Sequence, residues 1–329
     1  IVFGDWSSDV CSSDLIGDIN TAEALFDQIL PQFTRDDRYV SALSVCALRN
    51  LVKAAISLNR WVEACNWQQV LLSSNLHNLA AIDISLQTLV RALEFSLFTE
   101  DLGITSHFIN TPEQVEGIHK QLTTMLGNLD AQKNHFFDRW VSRAKAALEP
   151  NQANIRSLAL KTPEADDVAA MMLALHRSGQ TNTALQLTSK FSSDPMVTFT
   201  AAYCLKGTDP DKALEILKKA RKAPVVLPWS SVLAQSLYSK TGENYSAINE
   251  MEEALQSWPH EPEWHVITAA CWQRTGDSQN AIHHLEEAGK LLPNDVRLKY
   301  LLGKAYLHSG ETSKSIEVLE TASKNAANH

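Results

Sequence analysis

Residues 262–295 read PEWHVITAACWQRTGDSQNAIHHLEEAGKLLPND. Val266, Ile267, Ala270, Cys271 and Trp272 recur at helical rather than alternating spacing. Gly276 follows, the residue best able to take a positive φ beyond a helix end. A second apolar series, Ala281, Ile282, Leu285 and Ala288, keeps spacings of three and four. Pro293 closes the stretch, and Asn294 and Asp295 can cap what comes next. Two helices joined by so few residues must be antiparallel neighbours, and Ala281 and Ala288 are small where their backbones approach.

The stretch is one of three copies. Gly242, Gly276 and Gly310 are evenly spaced, and the same step separates Ala247, Ala281 and Ser315; Met251, Leu285 and Leu319; and Ala254, Ala288 and Ala322. Pro259 and Pro293 keep it as well. A fixed period of roughly 34 residues marks a repeat architecture. A helix shorter than about 12–15 residues is marginal alone, so each pair must bury its apolar face on the next, and stability becomes a sum over units and interfaces. The expected fold is all-α, a right-handed superhelical α-solenoid of antiparallel helix pairs.

The residues Ala269, Trp272, Ala281, Leu285, Ala288 and Pro293, and then Gly303, Tyr306, Ser315, Leu319 and Ala322, resemble the tetratricopeptide repeat pattern. The unit 228–261 supplies Tyr238, Gly242, Tyr245, Ala247, Met251, Ala254 and Pro259, with Gln235 where a small residue is usual. The resemblance is specific over roughly the last hundred residues. It implies a binding groove on the concave face, lined by the first helix of each unit. The matching positions are Trp229, Val232, Ser236 and Ser239; Glu263, Val266, Ala270 and Gln273; and Arg297, Tyr300, Lys304 and Leu307. Some relatives clamp a C-terminal carboxylate with Lys, Asn and Arg there, and no Asn occupies these slots here.

Upstream the period weakens. Gly17 and Ala22 sit five apart, as do Gly276 and Ala281, so 16–33 reads as the second half of a unit. Residues 40–74 read as two helices broken near Asn59, 77–98 as one longer apolar helix, and 99–110 as a loop. Thr111, Pro112 and Gln114 form a capping signal, and the following helical stretch is expected to break within 128–133. Thr162-Pro163, Asp194-Pro195 and Asp209-Pro210 repeat the cap-plus-proline signal. The organisation is a divergent helical-repeat region over 16–163, then repeats over 164–329 at about 165–193, 194–227, 228–261, 262–295 and 296–329. Residues 5–15, DWSSDVCSSDL, resemble a translated sequencing-library adapter, so 1–15 is expected to be non-native, disordered sequence.

The chain has 29 Lys and Arg against 38 Asp and Glu, a net charge of −9. Without Asp5, Asp9 and Asp14 there remain 35 carboxylates against the same 29 cations, a net −6. This acidity argues against nonspecific nucleic-acid binding, which needs a basic stripe. No run of about 18 apolar residues suggests a membrane span.

Chemistry is hard to find. His260 and His265 are five apart with Pro262 between, which is not the one-faced spacing of a helical zinc site. His283 and His284 are adjacent and read as solvated positions. Cys46, Cys65, Cys204 and Cys271 form no C-x-x-C pair. Phosphate-cradling glycine motifs and nucleophile elbows are missing too. The pairs Glu252/Glu253 and Glu286/Glu287 read as exposed helix faces. No catalytic residue, metal or cofactor is expected.

The leading expectation is therefore a non-catalytic scaffold for a peptide or protein partner, in the cytoplasm. The alternative is a recognition or regulatory arm of a larger enzyme or signalling regulator whose catalytic domain lies upstream. The last helix carries Ile316, Val318, Leu319 and Ala322, more apolar surface than one neighbour covers, so this edge is expected to pair with another chain or partner.

Overall fold

The computed structural model describes residues 49, 51–53, 55–56, 61–74, 79–102, 111–132, 137–159, 163–221, 228–293 and 295–326. Among the described residues there are helices and no strands. The chain divides into two compact units, Ile1–Thr162 and Pro163–His329. Gly17, Ala22, Cys46, Asn59 and the adapter-like stretch lie outside the described residues.

The first unit contains α1 (Trp61–Ser74), α2 (Leu79–Leu102), α3 (Pro112–Gln132), α4 (Asp138–Leu148) and the short α5 (Gln152–Ser157). From Ala80 to Phe98 no residue of α2 is fully exposed, because α1, α3 and α4 all pack against it. Leu86, Leu89, Val90 and Leu93 are buried along it, and Trp61 stacks on Phe95 with centroids 4.9 Å apart. Glu94, also buried on α2, accepts two hydrogen bonds from Arg143 of α4, at 2.9 Å from Nε and 2.7 Å from Nη2. The Arg143 guanidinium lies 4.9 Å from the Trp140 ring.

One boundary differs from expectation: the helix α2 runs on to Leu102 rather than stopping before residue 99, whereas α3 ends at Gln132, within the expected break. Buried Met125, Leu126 and Leu129 give that last stretch an apolar face, which overrides the weak helix preference of Gly127 and Asn128. At its start Thr111 and Gln114 exchange backbone-to-side-chain hydrogen bonds of 3.3 Å, the reciprocal cap that the sequence suggests.

The second unit is a stack of helix pairs, an α-solenoid. Its pairs are α6 (Ala165–Arg177) with α7 (Thr181–Gln186), α8 (Pro195–Leu205) with α9 (Pro210–Ala220), α10 (Pro228–Thr241) with α11 (Asn244–Ser257), α12 (Pro262–Thr275) with α13 (Ser278–Leu291), and α14 (Val296–Ser309) with α15 (Thr312–Ala326). A 3₁₀ turn, Leu187–Lys190, follows α7. Ala184 and Ala213 stand closer than one period because both α7 and α8 are short.

Asp194 and Asp209 cap α8 and α9 with side-chain oxygens, each ahead of a first-turn proline. Thr162-Pro163 does not act so. The cap of α6 is Glu164, whose side chain is exchanged with Asp167 in a capping box. The carboxylate of Asp167 accepts from the Glu164 backbone N–H, which a proline at residue 163 cannot offer from the cap position.

Between the helices of a pair, Gly242, Gly276 and Gly310 take φ of 81°, 84° and 85°. The next residue then donates back to the aromatic carbonyl one turn earlier: Glu243 to Tyr238 at 2.9 Å, Asp277 to Trp272 at 3.1 Å and Glu311 to Tyr306 at 2.9 Å. A Cβ at residue 276 would meet nothing within 4 Å, so only backbone strain penalises a substitution. We expect Gly276→Ala to destabilise the protein by about 1–2 kcal/mol and Gly276→Asn by less. Urea unfolding of both variants checks this, and equal losses would mean that φ is not the cause.

Within each pair a small residue faces a large one. A Cβ on Gly303 would come within 2.6 Å of the Leu319 side chain, and Ser315 Oγ donates to the Gly303 carbonyl at 2.8 Å. Ala269, Ala281, Ile282, Leu285, Ala305 and Tyr306 form one buried cluster that joins the pair α12/α13 to the pair α14/α15. Gln235, at the usually small position, is buried and directs its amide to Cys271 Sγ at 3.1 Å and Ser239 Oγ at 2.9 Å.

Candidate interaction surface

First helices of successive pairs lie side by side. Trp229 of α10 meets Trp264 of α12 edge-on at 5.3 Å, and Arg274 of α12 donates to Ser239 of α10 at 2.5 Å. Arg297 of α14 forms an ion pair with Glu263 of α12, one period earlier. A layer of first helices thus carries all the candidate groove residues, at different depths. Trp229 and Val232 are buried between pairs, and Glu263 is 1% exposed beneath Arg297. Ser236 and Val266 are half-buried, whereas Gln273 and Lys304 are exposed, as are Tyr300 and Leu307 at 53% each. The position Val232, Val266, Tyr300 therefore runs from core to surface along the stack.

Second helices attach to the following pair by a repeated contact. Glu252 of α11 accepts from Trp272 Nε1 of α12 at 3.4 Å, and Glu286 of α13 accepts from the Tyr306 hydroxyl of α14 at 2.5 Å. Lys218 of α9, one period before Glu252, holds its ammonium 5.6 Å from the Tyr238 ring. Beside Glu286 the Tyr306 hydroxyl is pushed well above its ordinary value, by burial first and then by that carboxylate. Glu286 is exposed and Glu252 half-buried, and each also serves as a contact between pairs.

His284 also departs from its reading as a solvated residue: it is buried, while His283 is exposed. Its Nδ1 lies 3.2 Å from His265 Nδ1, and its Nε2 lies 3.1 Å from Glu252 Oε1. On the far side, His265 Nε2 donates to the Pro259 carbonyl at 3.1 Å. Burial lowers the proton affinity of both rings; the Pro259 carbonyl and Glu287 partly offset this at His265, and Glu252 partly offsets it at His284, which His265 and His283 lower further. Above about pH 6.5 folded and unfolded chains both hold these rings neutral. Below it the unfolded chain takes up protons that the folded pair resists, so stability falls as the pH drops. We expect the Tm to decline between pH 7 and 5.5, and His284→Asn to flatten that slope. Parallel Tm curves for the two proteins would exclude the linkage.

Among the described residues no group of three or more His, Cys, Asp or Glu converges to hold a metal, and no helix is long and apolar enough to cross a membrane. Cys65, Cys204 and Cys271 are free thiols. Burial pushes Cys65 and Cys204 up to about 12 and raises Cys271, which keeps all three protonated and poorly nucleophilic.

Residues 273–329, from the end of α12 through α15, match the tetratricopeptide repeat family model. The match spans α13 and the pair α14/α15. Solved structures similar to the chain include a crystal structure of MamA, at 14% identity over 48% of this chain and 95% of that one, with a TM-score of 0.42. MamA 41-end from Desulfovibrio magneticus RS-1 is 14% identical over 52% and 99%, with a TM-score of 0.43. YrrB, described as a TPR protein with an unusual peptide-binding site, is 16% identical over 50% and 88%, with a TM-score of 0.41. Among curated proteins, none matches the sequence.

Tyr300 and Leu307 offer exposed apolar area, and Gln273 and Lys304 offer hydrogen bonds and charge. The sequence period locates this layer. The Glu252 and Glu286 contacts were also open to discovery, since both carboxylates and both rings keep the repeat step.

Proposed function

We propose that the protein is a non-catalytic interaction scaffold that seats an extended peptide or protein segment along the exposed side chains of its repeat first helices. The observation that carries this reading is the pair Tyr300 and Leu307, large apolar side chains half open to water on a layer otherwise well packed. Exposed aromatic and aliphatic anchors beside polar groups are what a recognition surface needs. Charge favours an acidic segment. The helices α10, α12 and α14 carry Lys240, Arg274, Arg297, Lys299 and Lys304 against the one carboxylate Glu263. Protonated buried thiols suit a reducing compartment such as the cytoplasm.

Selection of a displayed random peptide library against the whole chain tests this. We expect enriched peptides whose binding falls at least tenfold in the double variant Tyr300→Ala/Leu307→Ala, with Lys304→Glu weakening the acidic members further. Peptides indifferent to Tyr300 and Leu307 would place binding elsewhere and sink the reading.

A further inference from the structure

His265 of α12 and His284 of α13 meet in a way that two neutral imidazoles do not satisfy by themselves. His284 Nε2 lies 3.1 Å from Glu252 Oε1, and His265 Nε2 lies 3.1 Å from the Pro259 carbonyl. A carboxylate and a carbonyl only accept, so both Nε2 atoms carry the hydrogens. Each neutral ring is then left with a bare lone pair at Nδ1, and the two Nδ1 atoms stand 3.2 Å apart. Two acceptors cannot bond to each other. A proton shared between them would answer the geometry, but burial resists it by lowering the proton affinity of both rings. A metal cation that binds neutral imidazole is the other answer.

The spacing says which cation. Two nitrogens about 2.0–2.1 Å from a tetrahedral zinc lie about 3.3 Å from each other. Magnesium and calcium take oxygen ligands and are poorly served by a pair of imidazoles. The outer contacts suit zinc as well. A ligating imidazole donates its other N–H to a carboxylate or a carbonyl, which fixes the ring, and Glu252 and Pro259 stand in those places. Glu252 is steadied in turn by Trp272 Nε1 at 3.4 Å. We propose that His265 Nδ1 and His284 Nδ1 are the core of a zinc site between α12 and α13.

Among the described residues no third ligand stands with them in this arrangement. Glu287 can supply it by turning inward. Its charge already acts on His265, and its pair with exposed Lys290, at 2.5 Å, costs little to part. Water completes the shell. The ion has a way in, because His265 is half-buried and His283, next to His284, is exposed. Zinc here joins α12 to α13 directly and, through Glu252, the pair α10/α11 to the pair α12/α13. The site is independent of the partner-binding reading above, so either can fail alone.

Zinc chloride titrated calorimetrically into the chelator-stripped whole chain should bind saturably, one ion per chain, and should raise the Tm. His265→Phe keeps a ring at a half-buried position without its nitrogens and should weaken binding at least tenfold, with circular dichroism confirming the fold. Glu287→Gln and Glu252→Gln should each weaken it severalfold. The double variant His260→Ala/His283→Ala changes only exposed rings and should leave it unaltered. Cobalt in place of zinc needs no variant: in the wild-type chain it should give the intense visible bands of a four-coordinate site. Three results would overturn the proposal: no saturable zinc binding, binding that survives His265→Phe, or binding lost with His260 and His283 and a weak six-coordinate cobalt spectrum, which would mean an ion held by exposed rings.

Discussion

Replacing Glu94 by alanine is expected to destabilise the first unit by about 3–5 kcal/mol, the range for removing one partner of a buried ion pair. Arg143 is held by both Glu94 oxygens and lies 4.9 Å from the Trp140 ring, so its charge cannot swing to water without breaking that packing. The loss comes mainly from leaving Arg143 charged and buried rather than from the worth of the pair itself. The double variant Glu94→Leu/Arg143→Met, which removes both charges at similar volume, should therefore recover most of the stability. Chemical denaturation of the two proteins measures this. A double variant no more stable than Glu94→Ala would show that the pair contributes beyond compensating its own desolvation.

The ion pair also marks where reading by period stops. Glu94 and Arg143 lie 49 residues apart in a region that keeps no repeat phase, so nothing in the sequence joins them. Where the phase holds, much is legible. Gly242, Gly276 and Gly310 reveal the turns, and Ala281 and Leu285 the close packing, because each repeated residue answers a repeated backbone need. Depth is not repeated in the same way. Val232 and Tyr300 occupy equivalent positions, yet one is sealed and the other half open, because exposure depends on the side chains of the next pair. Orientation on a helix follows from spacing, and burial from neighbours that spacing does not name. His284 illustrates this: beside His283 it reads as surface, but its turn of α13 faces Glu252 and His265 of the two preceding helices.

The second large effect should come from Trp264, which is fully buried and meets Trp229 of the preceding pair edge-on. Truncation to alanine removes the indole from a close-packed site that cannot collapse onto it, because α10 and α12 are fixed by Gln235–Cys271 and Arg274–Ser239 contacts further along. A loss of about 3–5 kcal/mol is the usual cost of such a deletion, and Trp264→Phe should forfeit less by keeping an aromatic edge against Trp229. In a stack of repeats an interface term couples only its two neighbours. The damage should therefore appear as uncoupling: amides of α12 to α15 should exchange hydrogen faster while those of α6 to α9 keep their protection. Hydrogen exchange by mass spectrometry decides this. Uniform loss of protection across the second unit would mean that it unfolds as one body and that its pairs are not separable in energy. Selective loss would also predict weaker binding at Tyr300 and Lys304 without any change to either residue, since their helix α14 is held in register by Glu263 beside Trp264.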